Sequence, residues 1–103
     1  MQPNPNEISN ETIRVHIRVK GRVQGVGFRA HVEYHSLQIG VLGWVRNLNH
    51  DTVETVAEGT REQIDQFIEM VKTGPSASRV DEAIIEYEPT TGHLNGFSVK
   101  HSV

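Results

Sequence analysis

A glycine-rich segment followed directly by an arginine contains the residue types in this sequence that are best suited to binding an anion. Residues 21–27 read Gly-Arg-Val-Gln-Gly-Val-Gly, and Phe28 and Arg29 come next. Glycines permit backbone dihedrals that other residues resist, and the free N–H groups at a helix start attract phosphate. An arginine in the first helical turn adds a planar fork of donors. The predicted phosphate site therefore consists of Arg22, Val23, Gln24, Gly25, Val26, Gly27, Phe28 and Arg29.

The same segment does not match two common nucleotide-binding motifs. It lacks the Gly-Lys-Ser/Thr ending of a Walker A loop, and the spacing of Gly21, Gly25 and Gly27 does not give GxGxxG. Lys20 and Arg22 are expected to add a secondary positive potential that steers an anion toward the loop. The segment thus indicates a phosphate group without an attached nucleotide.

Periodic patterns predict the elements that position this segment. Alternation of apolar and polar residues predicts a strand over 13–20, and a helical stripe over 28–39 ends at Gly40, a left-handed cap. Thr60 and Gln63 form a capping-box pattern at the start of a second helix, which Gly74-Pro75 ends. Further strands are predicted over 41–47, 52–58, 80–88 and 96–100, with a turn over 48–51 and Gly59 closing the third strand.

This order predicts an α+β fold, a ferredoxin-like βαββαβ sandwich. An antiparallel sheet then carries two helices on one face, with a short extra C-terminal strand. The first two strands run parallel, and the third is inserted antiparallel between them. Because their C-terminal ends share one edge of the sheet, we expect Asn47, which ends the second strand, to lie near the glycine segment and Arg29.

Two motifs at this spacing resemble the acylphosphatase family. They are VKGRVQGVGFRAHV at 19–32 and GWVRN at 43–47, and the similarity extends from about Ile13 to the C-terminus. It includes AEG at 57–59, the Gly74-Pro75 stop and the aromatic residue in the last strand.

The resemblance implies an enzyme that hydrolyses the carboxyl–phosphate bond of acyl phosphates. By similarity, Arg29 is the catalytic arginine that binds phosphate, and Asn47 orients the attacking water. Inorganic phosphate would be both product and inhibitor. The expected site uses no metal and no cofactor, since a carboxylate leaves readily without a general acid and phosphoryl transfer depends mainly on positioning and charge stabilisation.

Composition limits the remaining possibilities. The chain has 103 residues, enough for one domain, and a net charge of −3, which gives no bulk attraction to nucleic acid or to an anionic membrane. It has no cysteine, so thiolate and CxxC chemistry are excluded. We interpret residues 1–11 as a disordered polar tail without signal-peptide character and 12–103 as the domain, and we expect a cytoplasmic monomer.

Single residues also allow plainer interpretations. Arg29 alone resembles a solvated helical arginine near Glu33, and Asn47 alone resembles a residue at a strand-to-turn junction. His31 and His35 have the i, i+4 spacing of zinc ligands but no third ligand. Core packing is predicted for Phe28, Val32 and Trp44, and a solvated outer helix face for Glu62, Asp65 and Glu69. The other histidines, His16, His50, His93 and His101, form no interpretable pattern.

Three other functions fit the sequence less well. An RNA-binding module of this fold needs exposed aromatic residues and a basic surface, which six Phe, Trp and Tyr residues and the negative charge do not favour. A metal chaperone needs CxxC. Acylphosphatase-like domains also begin the larger hydrogenase-maturation carbamoyltransferases, but this sequence ends after one fold, so we expect a free-standing enzyme.

Overall fold

A computed structural model describes residues 11–103, so the predicted disordered tail, residues 1–11, lies almost wholly outside the described residues. Within them the elements occur in the predicted order βαββαβ with a fifth strand. They are β1 Thr12–Arg22, α1 Phe28–Ile39, β2 Leu42–Leu48, β3 Thr52–Thr60, α2 Arg61–Thr73, β4 Arg79–Glu88 and β5 Phe97–Val99. Neither helix is long and apolar enough to cross a membrane, as far as residues 11–103 show.

One five-stranded sheet contains all of these strands, in the order β4-β1-β3-β2-β5. β1 pairs antiparallel with β3 and β4, and β2 pairs antiparallel with β3. β1 and β2 are therefore parallel with β3 between them, which confirms the predicted arrangement. β5 pairs parallel with β2, so the complete sheet is mixed, and the antiparallel description applies to its first four strands.

Both helices pack on one face of this sheet over a single hydrophobic core. Three alternate residues of β1, Val15, Ile17 and Val19, are completely buried there. The helices contribute apolar side chains at the spacing of their buried stripes, namely Phe28, Val32, Ile64, Phe67 and Val71. The period-two and helical patterns of the sequence therefore point to the same interior.

The helix ends follow the predicted local signals. Gly40 adopts a left-handed conformation with φ 96° and donates its N–H to Ser36. The hydroxyl of Thr60 accepts the N–H of Gln63, while the Gln63 side chain accepts the N–H of Thr60, which completes the capping box. The strand ends differ from prediction by at most two residues, and β1 continues past Lys20 through a register shift at Gly21.

The helix-free face of the sheet carries a network of charged side chains. Arg14 donates to Glu58 at 2.8 Å and to Glu88 at 3.1 Å. The two ring nitrogens of His16 lie 2.7 Å from Glu54 and 3.1 Å from Glu88. These long side chains cover β3, so Glu54 and Glu58 are buried without belonging to the apolar core.

The prediction that Trp44 belongs to the core was wrong. Trp44 is only partly buried, on the helix-free face, whereas its strand neighbours Gly43 and Val45 face the helices and are buried. Side chains alternate between the two faces of a strand, so a large aromatic residue next to two buried positions must point away from them. The Trp44 ring lies beneath two cations, with Lys100 Nζ 4.5 Å and Arg46 Cζ 5.0 Å from its centroid.

Candidate active site

Residues 23–27 of the glycine segment form the loop between the end of β1 and the start of α1, in which Gly25 and Gly27 are exposed and Val23 is buried. Gly25 and Gly27 adopt φ values of 74° and 78°, a left-handed conformation that glycine takes without strain. A Cβ atom at either position would have no heavy atom within 4 Å, so these glycines are required for conformation and leave open space above the loop.

The start of α1 has unused hydrogen-bond donors. Its N-cap, Gly27, provides no side-chain cap. Within residues 11–103, the N–H groups of Gly25, Val26 and Gly27 are not paired with a backbone or side-chain acceptor. Donors at a helix start, together with the positive end of the helix dipole, favour an anion at this position.

Asn47 lies beside this loop, as the topology predicted. It is near the C-terminal end of β2 on the helix-facing side of the strand, two residues beyond the buried Val45. A cavity of about 320 Å³ brings the two motifs together. Its lining residues are Val23, Gly25, Gly27, Phe28, Arg29, Ala30, Glu33, Asn47 and Val99.

Gln24 ties the loop to the β2–β3 turn. Its side-chain amide donates to the carbonyl of Thr52 at 2.9 Å, and it lies 3.3 Å and 3.4 Å from the carbonyls of Asn49 and Leu48. Leu48 and Asn49 follow Asn47 directly in the chain, and Thr52 is the first residue of β3. The position of the loop is therefore coupled to the strand end that carries Asn47.

The Arg29 side chain is half-buried and points toward the C-terminal residues. Its Nη1 atom lies 3.4 Å from the hydroxyl of Ser102, a long contact. No ion pair joins Arg29 to Glu33 among the described residues, although the two are one helical turn apart. The Arg29 guanidinium is therefore not bound to Glu33.

Residues 100–103 continue along β2 after β5 ends. The N–H of Lys100 donates to Val45, the N–H of Val103 donates to Asn47 at 3.1 Å, and the N–H of Asn49 donates to Val103 at 2.8 Å. The backbone on both sides of the Asn47 side chain is thus held by the same short segment. Ser102 in that segment also contacts Arg29, so one piece of chain contacts both predicted catalytic residues.

A second, basic cavity of about 630 Å³ adjoins the first and shares Arg29 and Val99 with it. Its other lining residues are Arg46, Lys100, His101, Ser102 and Val103. Arg46 donates to Glu54 at 2.7 Å. The charge around this cavity is positive on a chain whose net charge is −3, so local potential favours anions here.

The histidine pair of α1 has neighbouring rings but lacks further ligands. The centroids of His31 and His35 are 4.5 Å apart in an edge-on arrangement. Burial lowers the pKa of His31 below its usual value, and the neighbouring His35 lowers it further. Between residues 11 and 103, no three His, Cys, Asp or Glu side chains are grouped so as to hold a metal ion.

Most of the predicted site residues line the first cavity. Val23, Gly25, Gly27, Phe28, Arg29 and Asn47 do so, whereas Arg22, Gln24 and Val26 do not. The prediction for the latter three concerned backbone N–H groups and stays a prediction. The sequence patterns did not indicate Ala30, Val99 or Ser102, and they indicated Glu33 only as a residue near Arg29. The i, i+4 spacing from Arg29 was the signal that placed Glu33 on the same helix face.

Comparison with known proteins gives a consistent result. Residues 15–99 match the family model described as Acylphosphatase. An acylphosphatase of Trichormus variabilis is 45% identical over 94 residues, which cover 91% of this chain and 92% of that relative. The crystal structure of acylphosphatase from Bacillus subtilis is similar with a TM-score of 0.81 at 34% identity, covering 85% of this chain and 98% of that one. Full-length HypF in the phosphate- and nucleotide-bound form is similar over 90% of this chain but only 12% of its own, with a TM-score of 0.82 at 28% identity.

Proposed function

Because the chain belongs to the acylphosphatase family and hydrolyses the carboxyl–phosphate bond of acyl phosphates, we propose that Arg29 binds the phosphoryl group and that Asn47 orients the attacking water. The observation that carries this proposal is the single cavity lined by the glycine loop, Arg29 and Asn47. These residues come from separate parts of the chain, and only the sheet topology brings them together.

The loop and Arg29 bind the phosphoryl oxygens. Free N–H groups of residues 25–27 lie at the start of α1, and a guanidinium adds two parallel donors to an anion. Inorganic phosphate has the same oxygens, so we propose that the product competes with the substrate. This arrangement uses fixed donors and requires no group that changes its protonation state.

The Asn47 amide aligns a water molecule for in-line attack on phosphorus. The water oxygen forms a bond to phosphorus while the bond from phosphorus to the acyl oxygen breaks, and the carboxylate leaves with that electron pair. The water proton passes to a phosphoryl oxygen. Catalysis then consists of positioning and stabilisation of charge on the transferring group.

The polar tail, the monomeric state and the cytoplasmic location stay predictions from composition. The metal-free reaction is likewise part of the proposal. It is supported by the chemistry of a good leaving group.

Separate substitutions test the two roles. Arg29→Ala should weaken inhibition by inorganic phosphate and also lower kcat, because the guanidinium contacts the phosphoryl group in both the ground state and the transition state. Arg29→Lys should restore little, since lysine lacks the planar fork.

Asn47→Ala should lower kcat about a hundredfold or more with near-normal phosphate inhibition. We would measure kcat and the phosphate inhibition constant with acetyl phosphate.

Matched controls separate these effects from general damage. Arg61→Ala and Asn95→Ala remove the same side chains at exposed positions outside both cavities. They should leave both constants near wild type, and circular dichroism should show that all variants are folded. A folded Asn47→Ala enzyme with normal kcat would exclude the water-orienting role.

A further inference from the structure

Glu33 is an acidic residue in the cavity of the proposed active site, and its carboxylate has no role in the proposed mechanism. It lies on α1 one helical turn beyond Arg29, at a helical rise of about 6 Å. It is half-buried and lines the 320 Å³ cavity together with Arg29 and Asn47. An acidic side chain beside an anion-binding loop opposes binding of the phosphoryl group, unless the substrate also carries a cation or an N–H donor that binds the carboxylate.

Glu33 has no partner that would neutralise it within residues 11–103. It takes part in none of the ion pairs there, and no side-chain hydrogen bond to it is found in that part of the chain. Arg29, the nearest cation along the helix face, contacts Ser102 instead. The cavity wall therefore presents a separate positive group and a separate negative group.

The rest of the wall makes an unpaired carboxylate costly once a substrate excludes water. Val23, Phe28, Ala30 and Val99 contribute apolar surface to the same cavity. Removing water from a carboxylate that gains no partner is unfavourable, whereas contact with a cation or an N–H donor offsets this desolvation cost. The volume, at the lower end of the range for ligand pockets, suits a phosphoryl group with a small acyl group.

We propose that Glu33 determines specificity for the acyl group and favours acyl phosphates whose acyl part carries a positively charged amino group. The inference rests on the proposed function, which places the phosphoryl group on the loop and Arg29. The acyl group then occupies the remaining part of the cavity, where the amino group meets the Glu33 carboxylate. An acyl group that carries a free carboxylate is disfavoured there, because Glu33 repels it.

Three matched probes test this proposal: 3-(aminomethyl)benzoyl phosphate, 3-ethylbenzoyl phosphate and 3-carboxybenzoyl phosphate. The first two have the same heavy-atom skeleton and differ in charge. For the wild-type enzyme, kcat/KM should be about fivefold higher for the amine than for the ethyl compound, the size expected of one partly exposed charge pair. The ratio should fall to about one in Glu33→Gln, and added salt should reduce it in the wild type.

The control is Glu69→Gln, which makes the same change in net charge on the exposed surface of α2, away from both cavities. It should keep the wild-type ratio. An unchanged ratio in folded Glu33→Gln would overturn the proposal, and so would a wild-type preference for the carboxy probe, which would point to the basic cavity instead. Failure of the proposed function would look different, because Arg29→Ala would then hydrolyse all three probes as fast as the wild type does.

Discussion

The side chain of Gln24 has a structural role that its position in the glycine-rich motif did not suggest. The motif predicted a backbone contribution to phosphate binding, but the side chain reaches the carbonyls of Leu48, Asn49 and Thr52. These acceptors lie 24 to 28 residues further along the chain. Such a contact depends on the tertiary fold and leaves no local pattern, whereas the roles proposed for Arg29 and Asn47 follow from motif spacing.

We expect Gln24→Ala to lower kcat about tenfold while phosphate inhibition changes less, because the loop keeps its N–H groups but loses its fixed position relative to Asn47. Gln24→Glu should be more harmful, since a carboxylate has no hydrogen to donate and its charge repels the carbonyl oxygens around it. Steady-state kinetics with a phosphate titration would measure both effects.

Gln66→Ala, at an exposed position of α2, is the matched control and should retain wild-type constants. If Gln24→Glu were as active as the wild type, hydrogen bonding by this side chain would have no positioning role. A parallel loss of phosphate affinity and kcat would instead indicate that the loop itself has collapsed.

At the level of elements, local signals predicted the helices better than the strands. α1 has the predicted ends, because Gly27 and Gly40 define them through their own conformations. Strand ends depend on the partner strand, so β3 runs two residues beyond its prediction. The parallel pairing of β5 and the path of residues 100–103 along β2 arise from contacts with distant residues, which no periodicity encodes.

The capping box at the start of α2 gives a prediction for stability. Thr60→Ala should reduce the free energy of unfolding by about 1 kcal/mol, because the N–H of Gln63 loses its acceptor at the helix start. Urea unfolding followed by circular dichroism would measure the change. Thr90→Ala, an exposed residue outside the helices and strands, should change stability much less. Equal stabilities of the two variants would show that the cap contributes nothing.

For the molecule as a whole, the charged face of the sheet couples stability to pH. Burial by itself would raise the pKa of Glu54, but hydrogen bonds from Arg46 and His16 outweigh it and leave the pKa below the usual 4.5. The pKa of Glu58 is lowered in the same way against its burial, chiefly by Arg14. Glu54 and Glu58 therefore bind protons less readily in the folded state than in the unfolded state. Their contribution to the free energy of unfolding is fully present above pH 4.5 and is lost as the pH falls below it.

We expect the free energy of unfolding to fall as the pH is lowered from about 5 to about 3, as the carboxylates become protonated. Glu54→Gln should make this dependence less steep, although it should also destabilise the protein at neutral pH, because it removes the charge that faces Arg46 and His16 and one of the two acceptor oxygens. Denaturant unfolding at several pH values would give the slope.

Glu82→Gln provides the comparison, because Glu82 is exposed on β4 and forms no ion pair with residues 11–103. The free energy of unfolding of Glu82→Gln should depend on pH as steeply as that of the wild type. A Glu54→Gln protein with the wild-type slope would contradict the assignment of acid sensitivity to this face.

The position of β1 inside the sheet has a consequence for how the protein is made. β1 is synthesised first, yet its two neighbours are β3 and β4, and Arg14 pairs with Glu88. The ribosome must therefore complete almost the whole domain before the apolar side chains of β1 are enclosed on both sides. We expect the nascent chain to reach its native fold only after β4 has emerged from the ribosome.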